Sequence, residues 1–480
     1  MKSKQMKWLR LAITCALTLI TLFNASTAHL RTAHAATQKF ENDEIIIHLN
    51  PASGATLAQI NATYQTVTLE PLTGNPNTYR LRAPQGTDLE ALAVTMRADS
   101  RLTFAEPNFT NEFPEANPRR SFVWGGFDAV PYTNQYAIAQ LGLVQAQAVN
   151  KGAGVIVAIL DTGVQVNHPT LSNTWTAARY DFIDNDATPE DIPNGIDEDA
   201  DGLIDEAVGH GTHVAGIVHL VAPDAKIMPL RVLDSDGLGD AFTIAKAIDF
   251  AIENGAQVIN LSLGTASESD LLDDAVKRAT QHGVVVISAA GNLSSEEKQF
   301  PAAENCSLGV ASVGPTDVKS DFSNYGSWVD VAAPGENIYS ALTTSGYGSW
   351  SGTSMSTPFV AGQAALIKGK SPTLNPRQIA NLIADTALNT NPMNPGFHGE
   401  LGSGRIQVGE SLVKLALGFV PENDGGPISS GCIEATSPIT PTPTLTPSPT
   451  VTPVPSLTPT PSPTQALTMT LTQFLPMLMR

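Results

Sequence analysis

Cysteine is almost missing from this chain of 480 residues, with Cys15, Cys306 and Cys432 as the whole set. Cys15 lies in an N-terminal apolar run that processing would remove, so the mature chain can hold one disulfide at most. Cys306 and Cys432 could pair in an oxidising compartment or remain two thiols, and both readings stay open. Basic residues are scarce too: 27 Lys and Arg stand against 46 Asp and Glu, a net charge of -19. That balance argues against nucleic acid or an anionic membrane surface as partner, and fits cation binding or plain solubility. Beyond the N-terminus, no run approaches the roughly 20 apolar residues that a membrane span needs.

What is present suffices for a large core, since 42% of the residues are hydrophobic. Residues 1–35 read as a signal peptide. Lys2, Lys4, Lys7 and Arg10 precede an apolar stretch from Leu11 to Phe23, and Ala33-His34-Ala35 offers a small-x-small cleavage pattern. The mature protein is therefore expected to be secreted, soluble and monomeric. Residues 421–466 read as a linker, Pro/Thr/Ser-rich from Thr436 onward, and 467–480 as a short apolar tip. The tip is a candidate for cell-surface association, although a disordered tail is the simpler reading.

Two folded segments lie between these ends. Residues 37–120 predict a small α+β unit, with strands at Glu44–Leu49 and Asn77–Arg82. A helix follows over Asp88–Ala98, capped by Asp88, and Glu106-Pro107-Asn108 closes the unit. From 125 to 420 the pattern changes. Continuous apolar runs at Gly154–Leu160, Ala225–Val232, Gln257–Leu263 and Val284–Ala289 alternate with helical segments at Ala241–Asn254 and Ser267–His282. This predicts an α/β domain: a parallel sheet with helices on both faces and functional residues at the carboxyl ends of its strands.

Four motifs stand out. Asp161 closes an apolar strand and is followed by Thr162-Gly163. His210 lies in Gly209-His210-Gly211-Thr212-His213-Val214-Ala215-Gly216, whose small residues allow close helix packing. A zinc helix would pair its histidines four apart with a Glu between. Here they are three apart without one, so His213 reads as a structural histidine. Ser354, in Gly352-Thr353-Ser354-Met355-Ser356-Thr357-Pro358, opens a helix whose buried face is Val360, Ala361, Ala364, Ala365 and Leu366. A serine there has unpaired backbone N–H groups and a positive dipole end beside it, though an ordinary N-cap would look the same alone. Asn292, just past a strand in Ser288-Ala289-Ala290-Gly291-Asn292, can supply an amide donor. Acyl transfer by serine requires this set: a hydroxyl, an imidazole, a carboxylate and donors for the oxyanion.

Together, over roughly Tyr132 to Leu417, these motifs closely resemble the subtilisin-like serine peptidases (subtilases, S8 family). The resemblance implies a subtilisin-like central sheet and endopeptidase activity through an acyl-enzyme, with Asp161, His210 and Ser354 as triad and Asn292 as oxyanion donor. It also implies that Ser262, Leu263 and Gly264 form a substrate-binding strand, and that Ala289, Ala290 and Gly291 form one wall of the specificity pocket. The α+β unit looks like an inhibitory propeptide, self-cleaved between Pro107 and Asn134. A silent binding module would usually lose one catalytic group, and a serine esterase would need a lipid-shaped pocket.

The stretch before His210 carries Asp197, Asp199 and Asp201 at alternate positions, then Gly202 for a sharp turn. Leu203 offers a carbonyl and Asp205 a further oxygen. This is the start of a calcium loop, with Val208 where an EF-hand has its bidentate Glu; Asp184 or Asp186 are candidates for the missing ligand. A solvated acidic loop is the plainer alternative.

Overall fold

The computed structural model describes residues 40–116 and 120–433. The signal peptide, the linker beyond 433 and the apolar tip lie outside the described residues. Among the described residues, no helix is long and apolar enough to cross a membrane.

The N-terminal unit pairs β1 (Phe40–Leu49), β2 (Val67–Pro71), β3 (Thr78–Arg82) and β4 (Leu102–Glu112) in the antiparallel order β2-β3-β1-β4. Helices α1 (Leu57–Tyr64) and α2 (Leu89–Arg97) belong to the same unit. Asp88 caps α2 as its sequence position suggests, its Oδ1 accepting from the N–H of Ala91 at 3.0 Å. Ile45, Ile47, Leu81, Ala93 and Met96 form a core of the unit's own.

The larger sheet grows from the apolar runs. β6 (Ile156–Asp161), β7 (Tyr180–Asp181), β8 (Lys226–Arg231), β10 (Val258–Leu261), β11 (Val285–Ala289), β12 (Ser307–Val313) and β13 (Val331–Pro334) are its strands. They form seven parallel strands in the order β13-β12-β11-β10-β6-β8-β7. Helices α3 (His210–Val221), α4 (Ala241–Glu253), α5 (Asp270–Gln281) and α6 (Thr353–Lys370) accompany them. Strands β10 and β11 are buried along their whole length, which explains why they read as unbroken apolar runs; β12 and β13 are equally buried but were not foreseen from the sequence. All five residues expected on the inner face of α6 are fully buried. α6 and α3 approach closely at Gly362, where an added Cβ would lie 2.5 Å from Cβ of Val221. The helices bearing His210 and Ser354 are thus set directly against each other. A small antiparallel sheet of β14 (Ile338–Leu342), β15 (Gly346–Trp350) and β5 (Val123–Gly126) stands beside them.

The two segments meet through β9 (Leu238–Asp240), a strand not foreseen from the sequence. It pairs antiparallel with β4 in the register Thr110↔Asp240, Asn111↔Gly239 and Glu112↔Leu238. Glu106 and Asn108 do more than close the unit. The Glu106 carboxylate caps α5, accepting from Ser269 Oγ at 2.7 Å and from the N–H groups of Asp270 at 2.8 Å and Leu271 at 3.2 Å. Asn108 Oδ1 accepts from the N–H of Phe242, in the first turn of α4, at 3.1 Å.

Residues 421–433, assigned above to the linker, pack on the α/β domain. Asn381 Nδ2 donates to the carbonyls of Glu422 at 3.1 Å and Asp424 at 3.0 Å, and Ile428 is fully buried. Cys306 and Cys432, left open by the sequence, are joined as a disulfide with Cα atoms 5.5 Å apart and the two cysteines 126 positions apart in sequence. Closing so long a loop restricts the unfolded chain strongly, typically by 2–5 kcal/mol in a native protein. The Cys306→Ser/Cys432→Ser protein should therefore melt several degrees below the parent, and reductant should lower the parent's melting temperature but not the variant's.

Candidate active site

Asp161 at the end of β6, His210 at the start of α3, Ser354 in the first turn of α6 and Asn292 just past β11 converge. Asp161 is the last residue of β6, and its Oδ1 accepts from the N–H of Thr162 at 2.8 Å and from His210 Nδ1 at 2.7 Å. His210 opens α3 after Gly209, whose φ of +99° suits glycine. Asp191, which no sequence signal marked, fixes this helix start. Its carboxylate accepts from the N–H groups of Gly209 at 2.9 Å and Thr212 at 3.1 Å, and from Thr212 Oγ1 at 2.6 Å. Gly211 has no alternative here, because a Cβ would lie 2.1 Å from the carbonyl oxygen of Gly163. Trp350 and Phe113 present edges to the His210 ring, at centroid distances of 5.3 and 5.2 Å.

Ser354 is the second residue of α6, so its N–H has no carbonyl of its own helix to bond. Its carbonyl is unusual as well. The fourth residue on is Pro358, which has no N–H to return to it. Ser262 Oγ donates to Ser354 O instead, at 3.0 Å, and Asn260 Nδ2 donates to Ser262 Oγ at 3.0 Å. Ser262 therefore serves the Ser354 turn with its side chain. Asn292 is oriented by donors: its Oδ1 accepts from the N–H of Thr353 at 2.9 Å and Thr353 Oγ1 at 3.0 Å. That leaves Nδ2 as the free end, facing the same space as Ser354.

The space is filled by Glu115, a residue that sequence reasoning missed. Its Oε2 accepts from Ser354 Oγ at 2.7 Å and lies 3.1 Å from His210 Nε2, while Oε1 accepts from Asn292 Nδ2 at 2.9 Å. Burial alone would lower the pKa of His210, but the carboxylates of Asp161 and Glu115 outweigh it and push it up to about 10. His213 behaves oppositely. It is fully buried, with Nε2 near the Gly348 carbonyl at 3.3 Å, and burial together with His210 pushes it down to about 3. It is a structural histidine, as the spacing argument predicts.

The expected substrate-binding segments surround the same point. Gly264 exchanges two backbone hydrogen bonds with Glu112, at 3.0 and 2.9 Å, so β4 runs between Gly264 and β9. Leu263 is fully buried and Ser262 serves Ser354, leaving Gly264 as the member that pairs. Ala289, the last residue of β11, and Ala290 after it are both buried. Gly291 has a φ of +97°, and a Cβ there would meet Gln299 Cγ at 2.6 Å. Gln299, also unforeseen, lies beside Gly264 too, its Oε1 3.6 Å from where that residue's Cβ would be.

The acidic insert gathers carboxylates, though not the set expected. Asp197, Asp199 and Asp236 bring one oxygen each within 4.8 Å of one another, and Asp199, Asp201 and Glu206 do the same. Asp236 and Glu206 are additions. Asp205 belongs to neither group; its Oδ1 accepts from the N–H of Asn194 at 2.7 Å. Leu203 is half-exposed. Asp184, suggested as a missing ligand, pairs with Arg231 at 2.6 Å, and Asp186 accepts from the N–H of Thr188 at 2.6 Å. Partial burial and the charges of Asp201 and Asp236 raise the pKa of Asp199.

Comparison with known proteins agrees with this architecture. The model of the subtilase family, a peptidase family, matches residues 152–404. Thermitase of Thermoactinomyces vulgaris is 43% identical over 249 residues, 49% of this chain and 84% of thermitase. Subtilisin BL of Lederbergia lenta is 37% identical over 264 residues, 52% of this chain and 91% of that protein. The crystal structure of fervidolysin from Fervidobacterium pennivorans, described as a keratinolytic enzyme related to subtilisin, superposes with a TM-score of 0.65 at 24% identity. That match covers 82% of this chain and 63% of fervidolysin, and supports the fold. With its seven-stranded parallel sheet and its Asp, His and Ser segments in this order, the chain belongs to the subtilase family and is a serine endopeptidase of the subtilisin type.

Proposed function

We propose that Asp161, His210 and Ser354 are the catalytic triad of a secreted endopeptidase and that Asn292 supplies an oxyanion donor. The observation that carries this is convergence: Ser354 Oγ, His210 Nε2 and Asn292 Nδ2 all meet one carboxylate, and Asp161 holds the far side of the imidazole. With a peptide carbonyl in that place, His210 takes the proton from Ser354 Oγ, which attacks the carbonyl carbon. The oxygen that becomes negative lies on Asn292 Nδ2 and the Ser354 N–H. His210 then returns the proton to the departing amine, leaving an acyl-enzyme. Water, deprotonated by the same imidazole, hydrolyses it. Asp161 keeps the proton on Nδ1 and stabilises the imidazolium.

The segment before Glu115 acts in this reading as the enzyme's own propeptide. β4 occupies the cleft as a strand between Gly264 and β9, which is how an extended peptide substrate gains backbone hydrogen bonds. Self-cleavage between Pro107 and Asn134 would release it. Export through the signal peptide agrees with the Cys306–Cys432 disulfide, which an oxidising compartment favours.

The acidic insert is read as a structural calcium site. All its donors are oxygens, as a hard cation requires, and mutual repulsion among Asp199, Asp201 and Asp236 is what a cation would relieve. Asp197, Asp199 and Asp201 would hold it, with Asp236 and Glu206 from the two carboxylate groups. Magnesium fits less well because it retains its waters and demands rigid octahedral geometry.

Ser354→Ala tests the nucleophile. The variant should fold, accumulate without propeptide cleavage, fail to take a fluorophosphonate label and lose peptide hydrolysis, apart from a residual rate about a thousandfold above that of water. Hydrolysis at the parent rate would overturn the triad. Asn292→Ala should lower kcat by roughly a hundred- to a thousandfold with little change in KM; a raised KM with unchanged kcat would make Asn292 a binding residue. For the cation, the melting temperature should climb with calcium concentration and fall with EDTA in the parent. The Asp197→Ala/Asp199→Ala protein should melt independently of both, and identical behaviour of the two proteins would remove the site.

A further inference from the structure

The chain approaches the catalytic centre as a substrate would, then leaves that path. β4 keeps backbone pairing as far as Glu112, and the N–H of Phe113 still donates to the Gly237 carbonyl at 3.2 Å. A turn follows: the N–H of Ala116 donates to Phe113 O at 3.1 Å, and that of Arg120 to Glu115 O at 2.8 Å. The carbonyls of Phe113 and Glu115 are therefore engaged away from Ser354 and Asn292. What reaches the centre is the Glu115 side chain, fully buried, with both oxygens bonded.

The pocket fits this carboxylate closely. Gly352 faces it without a side chain, and a Cβ there would stand 1.6 Å from Glu115 Oε1. Two donors of fixed direction, Asn292 Nδ2 and His210 Nε2, take one oxygen each, and Ser354 Oγ shares the second. A fully buried carboxylate is costly unless it is paired and hydrogen-bonded, and His210 in its charged form supplies the pair.

We infer that the Ser354–His210–Asn292 centre is a receptor for a side-chain carboxylate, and that Glu115 occupies it as an internal latch. The inference rests on the triad reading above and adds to it. The latch silences the centre twice over. It fills the place of the reacting carbonyl, and, with Asp161 on the other side, it holds His210 as imidazolium, which cannot accept the Ser354 proton. The Phe113 and Glu115 carbonyls stay bonded within the turn while Glu115 is seated. Release of the side chain, rather than departure of the whole N-terminal unit, is then enough to free the nucleophile.

The test compares full-length chains before processing, using the rate at which a fluorophosphonate probe labels Ser354. Glu115→Gln keeps the shape of the side chain and removes its charge. Charge-assisted hydrogen bonds exceed neutral ones by enough to raise labelling about ten- to a hundredfold over the parent. Glu115→Ala should label at least as fast. Because it leaves a carboxylate-sized space, added acetate should slow its labelling in a concentration-dependent way, while acetamide at equal ionic strength should not. Equal labelling of parent and both variants overturns the latch and leaves the triad standing. Acetate and acetamide acting alike overturns the carboxylate receptor. Absence of label on Ser354 in every form overturns the triad reading and the latch with it.

Discussion

The parallel sheet imposes the constraint from which the rest follows. Strands β10 to β13 are buried along their whole length, so their side chains can hardly carry exposed polar chemistry. The polar groups that face the site lie where the strands stop. Asp161 ends β6, Ser262 follows β10 by one residue, and Asn292 follows β11 by three. α6 runs beneath these ends and delivers Ser354 at its first turn, with Pro358 placed so that Ser262 must bond the Ser354 carbonyl. The precision of the site is thus the precision of a packed core, transmitted through a handful of hydrogen bonds.

The N-terminal unit exploits the same end of the sheet. Glu106 caps α5, Asn108 bonds the first turn of α4, and β4 adds to β9 beside Gly264. Each contact uses backbone groups that a helix start or a strand edge leaves unpaired. On the proposed reading, a peptide arriving from solution would use the same strand-edge groups, so the unit and a substrate would compete for them.

How much of this the sequence disclosed depends on how local each feature is. Asp161, His210, Ser354 and Asn292 stand in short runs of small residues, and such runs have physical reasons visible in sequence: helix contact at Gly362, close approach at Gly211, a turn at Gly291. The apolar strands and the Asp88 cap were legible for the same reason. Glu115 was not, because it meets Ser354 across 239 residues from a stretch with no periodicity. Asp191, 21 residues before Thr212, carries no mark distinguishing it from its acidic neighbours. Gln299 and β9 likewise acquire meaning only from what folds against them. In the acidic insert, alternation located Asp197, Asp199 and Asp201, but Asp236 joins from another loop and Asp205 turns to the backbone of Asn194.

The disulfide has a consequence of a different kind. Cys306 and Cys432 bracket Ser354, the whole of α6 and the two strands β12 and β13. A protein that hydrolyses peptide bonds is exposed to its own kind at every surface loop. A single nick between these cysteines leaves two fragments still covalently joined and still packed, so Ser354 stays with the half of the molecule that carries Asp161 and His210. The crosslink acts as a tether against self-digestion, preserving a working molecule after damage that would otherwise let the segment drift away.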